Sequence, residues 1–150
     1  AKSLGNGIPI GACLANGKAG KLFQPGNHGS TFGGNPLACH VACQVIDTLQ
    51  DIDANQQATE MGDYLLSELN KTLGENDNVL DIRGLGLMLA IELDRPCPEL
   101  VEQGIEAGLL INVSAQNIIR LLPPLILSRQ QADELVDKLS HLISRFLLSY

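Results

Sequence analysis

Residues 79–93 read Val-Leu-Asp-Ile-Arg-Gly-Leu-Gly-Leu-Met-Leu-Ala-Ile-Glu-Leu. The apolar spacing is too short here for a helix, so 79–83 and 87–93 are expected as two strands separated by Gly84-Leu85-Gly86. Upstream the period is helical. Ala58, Met61, Leu65, Leu69 and Leu73 form one stripe over 56–73, closed by Gly74 in the usual position just past a helix end. Downstream, 98–107 reads as a short helix ended by Gly108. Segments 109–113 and 118–122 are two more strands, the second stopped by Pro123-Pro124. Ser128 with Gln131 forms a capping box for a last helix. Its apolar face is Ala132, Leu135, Val136, Leu139, Leu142, Ile143 and Phe146. From about residue 50 the order is α-β-β-α-β-β-α, a small α+β or α/β layer domain.

The first 36 residues have a different texture, rich in glycine and poor in helical periodicity. Within them 8–14 (Ile-Pro-Ile-Gly-Ala-Cys-Leu) is a short apolar run expected as a buried strand. Gly26-Asn27-His28-Gly29-Ser30-Thr31-Phe32-Gly33-Gly34 is a loop. Asn35 and Pro36 then supply the N-cap and first position of a helix to about Gln50, with Ala38, Val41, Ala42, Val45 and Leu49 at helical spacing.

Composition bounds the function. Hydrophobic residues make up 45% of the 150, enough to bury a core and to exclude disorder for most of the length. The net charge is −7 and no run of Lys or Arg occurs, which argues against a nucleic-acid binder. No apolar stretch reaches the length of a membrane span, and 1–5 has no apolar signal-peptide region. Cys13, Cys39, Cys43 and Cys97 form no CxxC pair and are expected as reduced core thiols of a cytoplasmic protein. There is no initiator Met and the chain opens inside a Gly-rich segment, so it is expected to be the tail of a longer protein.

Three places could carry chemistry. Lys2, in Ala-Lys-Ser-Leu-Gly-Asn-Gly, lies outside any amphipathic helix. If desolvated it would serve as an amine nucleophile or Schiff-base former, and otherwise it is an ordinary solvated lysine. The 26–34 loop can offer backbone N–H groups and the Ser30 and Thr31 hydroxyls to a phosphate, with the dipole of the following helix behind them, or it is a plain connection. It matches neither G-x-x-x-x-G-K-[ST] nor G-x-G-x-x-G, and His28 reads as a polar loop residue. Arg120, in Ile-Ile-Arg-Leu-Leu, needs an anion if buried. That anion is a substrate carboxylate or an acidic side chain of the protein, unless Arg120 lies at a strand edge and reaches water. Arg83 is expected to pair with Asp81 or stand exposed. No metal-ligand set is assigned.

Taken together, four segments resemble the class III pyridoxal-phosphate aminotransferases, in family order over 1–127. These are A-K-S-L-G-N-G-I-P-I-G-A-C-L-A, F-Q-P-G-N-H-G-S-T-F-G-G-N-P-L-A-C, G-L-G-L-M-L-A-I-E-L, and G-L-L-I-N-V-S-A-Q-N-I-I-R-L-L-P-P-L-I. The loop wording is especially similar to the branch that uses N-acetylornithine. Ser3 departs from the Gly or Ala that many relatives carry.

The resemblance implies the C-terminal part of a fold-type-I α/β transferase. Residues 1–50 would end the large pyridoxal-phosphate domain and 51–150 would be the small α+β domain. It implies pyridoxal 5′-phosphate as cofactor, with Lys2 carrying its aldehyde and moving protons at the substrate Cα. Ser30 and Thr31 would hold the phosphate across a homodimer interface, and Arg120 the substrate α-carboxylate, with Asn112 and Asn117 beside it. It further implies amino transfer from N-acetylornithine to 2-oxoglutarate in arginine biosynthesis, with no nucleic-acid or membrane partner. Ornithine, succinylornithine and 4-aminobutyrate aminotransferases are the alternatives in the class; a non-catalytic interaction domain is the alternative outside it. The family's ring-pairing Asp, its stacking aromatic and its second Arg have no counterpart here, so the chain alone is expected to be inactive.

Overall fold

The computed structural model describes residues 2–149, which form two compact units, Ala1–Asp53 and Ala54–Tyr150. In the first, a 3-10 turn Lys2–Gly5 leads into a long irregular stretch, a second 3-10 turn Ala19–Lys21, and helix α1, Pro36–Asp51. Asn35 caps α1 as expected, its side-chain oxygen accepting from the Ala38 N–H at 3.2 Å. The Lys2–Gly5 turn packs against α1, and Gly5 is the tight spot: a Cβ there would come within 2.8 Å of Ile10 Cγ2.

The expected strand at 8–14 does not form, and most of that stretch is exposed. A strand needs a neighbour for its N–H and C=O groups. Among the described residues every strand lies in the second unit.

The second unit is a four-stranded sheet with three helices. Helix α2 (Ala54–Leu73) precedes strands β1 (Val79–Leu85) and β2 (Met88–Leu93). Helix α3 (Glu99–Glu106), β3 (Asn112–Ser114), β4 (Ile118–Leu121) and α4 (Arg129–Leu148) follow. The strand order is β1-β2-β4-β3 and every pairing is antiparallel. β1 runs two residues further than expected, so the hairpin turn is only Gly86-Leu87. Gly86 has φ +53, and a Cβ on Gly62 of α2 would collide with the Gly86 carbonyl. Glycine at both positions lets α2 lie directly on the turn.

Alternation along the strands sorts the residues by face. Leu89, Ile91 and Leu93 of β2 and Ile119 and Leu121 of β4 point into a core with Leu65, Leu69 and Leu73 of α2 and Val136, Leu139, Ile143 and Phe146 of α4. Burying each large side chain contributes about 1.5–3 kcal/mol. The Ser128–Gln131 capping box is present in full. α3 ends at Gly108, φ +75, with Leu109 N–H donating to the Gly104 carbonyl at 2.7 Å and Gly108 N–H to Ile105 at 3.0 Å, the left-handed closure expected. Gly74 closes α2 differently. Its N–H still donates to the Asn70 carbonyl at 2.9 Å, and a Cβ would lie 2.5 Å from that oxygen, so the glycine serves a close approach. β3 begins three residues later than expected, and Leu110 is exposed.

Of the cysteines only Cys97 is a core thiol; Cys39 is half-buried, and Cys13 and Cys43 are exposed. Burial, then the nearby Glu99 charge, pushes the Cys97 thiol up to about 11, far from the thiolate form. No helix among the described residues is long and apolar enough to cross a membrane.

Candidate active site

Lys2 stands in the first 3-10 turn with φ +58, a left-handed backbone that costs a residue with a Cβ on the order of 1 kcal/mol. Such strain is tolerated where function fixes the position. Its side chain is exposed, so of the two readings the sequence left open, this chain shows the solvated lysine.

The 26–34 loop belongs to the same unit. Gly26 (φ +89) and Gly34 (φ +73) supply the left-handed angles expected of them. Between them Ser30–Gly33 closes a turn, Gly33 N–H donating to the Ser30 carbonyl at 3.4 Å. A Cβ on Gly33 would lie 3.0 Å from Ser30 Cβ and 3.2 Å from its hydroxyl, so the bare glycine leaves the Ser30 side chain its place. Ser30 lines a cavity of about 550 Å³ whose other walls include Ile10, Phe32, Gly33, Asn35 and Cys39; Thr31 does not line it. Both hydroxyls precede the N-terminus of the 16-residue α1. Two hydroxyl donors and a helix N-terminus suit a phosphoryl group. His28 stacks on Phe23, ring centroids 5.9 Å apart, which accounts for it as a loop residue.

Arg120 lies in the second unit. It alternates with buried Ile119 and Leu121, so it stands on the sheet face opposite the core, and it is exposed. Among the described residues its side chain makes no ion pair or hydrogen bond, so the internal acidic partner allowed for by the sequence is not there. In register with it are Ala90 on β2 and Asn112 on β3, and beyond Ala90 lies Arg83 on β1. The Asn112 side-chain oxygen accepts from the Ser114 hydroxyl at 3.1 Å. Asn117 is structural: its side-chain amide donates to the Leu93 carbonyl at 2.8 Å, and its own carbonyl accepts from Leu93 N–H at 3.0 Å.

Arg83 donates to Asp81 at 2.7 Å, as expected, and also to Glu92 at 2.8 Å. Asp81 first, then Glu92, raises its pKa. The Glu92 contact was not anticipated, because it comes across the hairpin. The pairing of 79–83 with 87–93 was the signal that could have revealed it.

The chain belongs to the class-III aminotransferases, whose family description, "Aminotransferase class-III", matches residues 1–143. It is 45% identical to the acetylornithine aminotransferase of Nitrosomonas europaea over 149 residues, which cover 99% of this chain and 38% of that protein. It is 50% identical to acetylornithine aminotransferase 1 of Bordetella pertussis over 147 residues, 98% of this chain and 37% of that one. Among solved structures it is similar to the acetylornithine aminotransferase of Elizabethkingia anophelis, with a TM-score of 0.78, 37% identity, and coverage of 88% of this chain and 36% of that one. The chain therefore spans less than two-fifths of the length of these relatives. The expected fold class, a mixed α/β part of a fold-type-I transferase, is the fold these structures share with it. The family is pyridoxal-phosphate dependent, and Ser30, Thr31 and the α1 N-terminus are a donor set that suits the cofactor's phosphate.

Proposed function

We propose that this chain supplies the lysine, the phosphate loop and the carboxylate-binding arginine of an aminotransferase that moves the amino group of N-acetylornithine to 2-oxoglutarate in arginine biosynthesis. Residues 1–50 end its large domain and 51–150 form its small C-terminal domain. The observation that carries this reading is the unpaired Arg120 on an open sheet face, within a chain 45–50% identical to acetylornithine aminotransferases.

Each residue has a separate task. Bound pyridoxal phosphate would act as the electron sink for the substrate carbon that bears the transferred amino group. Lys2 would anchor the cofactor through its amine and move the proton at the substrate carbon that bears the transferred amino group, as a general base and acid. Ser30 and Thr31 donate hydroxyl hydrogen bonds to the phosphate and fix its position. Arg120 presents a planar fork to the α-carboxylate of 2-oxoglutarate, which lies beside the carbon that takes the amino group.

The relatives are far longer than this chain, and its first unit exposes Leu14, Leu22, Phe23, Phe32 and Leu37. Those residues would be covered in a full-length, homodimeric, cytoplasmic enzyme. The chain alone is expected to self-associate and to lack turnover. The test is kcat/KM of the full-length enzyme with four donors: N-acetylornithine, succinylornithine, ornithine and 4-aminobutyrate. N-acetylornithine should lead; a clear lead for another donor would move the chain to that branch.

A further inference from the structure

The outer face of the sheet carries two arginines and two acids, and their register is informative. Ala90 pairs with Arg83 on β1 and with Arg120 on β4. Glu92, two residues along β2, is therefore diagonal to both arginines, within reach of long side chains. It goes to one of them only: Glu92 lies 2.8 Å from Arg83, while Arg120 has no partner among the described residues. Asp81 also contacts Arg83, at 2.7 Å, and is the direct cross-strand partner of Glu92. Without a cation between them, two carboxylates facing each other across adjacent strands repel. Loss of Arg83 would push Glu92 away from Asp81 and toward Arg120.

We propose that Arg83 is a positioning residue for the carboxylate site: by holding Glu92 on the β1 side of the sheet, it keeps the Arg120 guanidinium free for the substrate's α-carboxylate. Ala90 contributes by its size, since a methyl group between the two arginines leaves the space beside Arg120 open. The inference rests on the reading of Arg120 as the substrate clamp and goes beyond it by naming the internal competitor and the residue that removes it. The competition is electrostatic and exposed to solvent, the Arg83 and Glu92 side chains being 45% and 30% exposed, so it is sensitive to salt.

The experiment uses the full-length holoenzyme with four variants: Arg83→Gln, Arg83→Lys, the double variant Arg83→Gln/Glu92→Gln, and Arg120→Lys. KM and kcat are measured for amino donor and 2-oxoglutarate, with the dissociation constant of glutarate as an unreactive dicarboxylate probe. Arg83→Gln should raise the KM for 2-oxoglutarate and the glutarate constant about three- to ten-fold, with kcat nearly unchanged. The rise should shrink at high salt. Removing the freed carboxylate in the double variant should restore both, and Arg83→Lys, which keeps the charge, should stay close to wild type. A structural role for Arg83 would instead lower thermal stability in both Gln variants without rescue by Glu92→Gln. Unchanged KM in Arg83→Gln, or a raised KM that the double variant fails to restore, overturns the proposal while leaving Arg120 as the clamp. Unchanged kcat/KM in Arg120→Lys overturns the clamp itself and the proposal with it.

Discussion

The two units of this chain divide labour in opposite ways. Ala54–Tyr150 contains all four strands and nearly every buried apolar side chain among the described residues, including Leu65, Ile91, Ile119 and Leu139. Among the described residues of Ala1–Asp53 only Ala38 and Ala42 are buried hydrophobics, yet the unit carries Lys2, Ser30 and Thr31. One unit is a finished core that presents Arg120 on a rigid sheet. The other is a set of loops and one helix whose apolar side chains face outward. Precise chemistry requires groups held rigidly in place. On the proposed assignment, the rest of a full-length enzyme would hold the first unit's site residues in place.

The sharpest way to break this contrast is at Lys2. In the full-length enzyme, Lys2→Ala should lower turnover by about a thousand-fold or more, since both an anchoring amine and a general base are lost. Near-normal steady-state turnover would show that the loosely held unit is not where the chemistry resides.

The sheet carries the next largest effect. Arg120→Lys keeps a charge but loses the planar fork, and should lower kcat/KM for 2-oxoglutarate by roughly thirty-fold to nearly a thousand-fold. Cofactor absorbance should stay intact in this variant, because Arg120 is assigned no contact with the cofactor. Absorbance lost along with activity would assign Arg120 to folding or cofactor binding.

A stability comparison then sharpens the difference between the units. Leu139 is fully buried in the second, and Leu139→Ala should cost about 2–5 kcal/mol by denaturant unfolding. Leu14 is 91% exposed in the first, and in the 150-residue chain Leu14→Ala should change stability by less than about 0.5 kcal/mol. In the full-length enzyme the same Leu14→Ala should cost more than about 1 kcal/mol, because the side chain is expected to be covered there. Equal, negligible effects in both settings would mean that the outward apolar residues of the first unit are truly solvent-facing.

Legibility in the sequence followed the same division. Where a signal is local, it held. Asn35-Pro36 and the Ser128–Gln131 box start α1 and α4 where expected, and the change of period before residue 79 marks the β1–β2 hairpin. Where the outcome depends on distant partners, it did not. The apolar run 8–14 has β character, but no strand in its unit offers it a ladder. For Lys2 the sequence left desolvated and solvated readings open; it is exposed in this chain, and burial depends on what lies over a residue, which the local sequence does not encode. Arg83 was assigned Asp81, two residues away; its second partner, Glu92, becomes visible only once the hairpin register is fixed. Arg120 was readable as an arginine that needs an anion if buried and reaches water if not; that it is exposed, with no side-chain partner among the described residues, emerged only from the structure.

The central claim is that Lys2 carries the cofactor, and it can be tested directly. The full-length enzyme is reduced with borohydride in the presence of pyridoxal phosphate and digested, and each lysine-containing peptide is weighed by mass spectrometry. This chain offers five candidates, Lys2, Lys18, Lys21, Lys71 and Lys138. The pyridoxyl-phosphate mass should appear on the peptide containing Lys2 and on no other. The same mass on another lysine, or on none, would contradict the account.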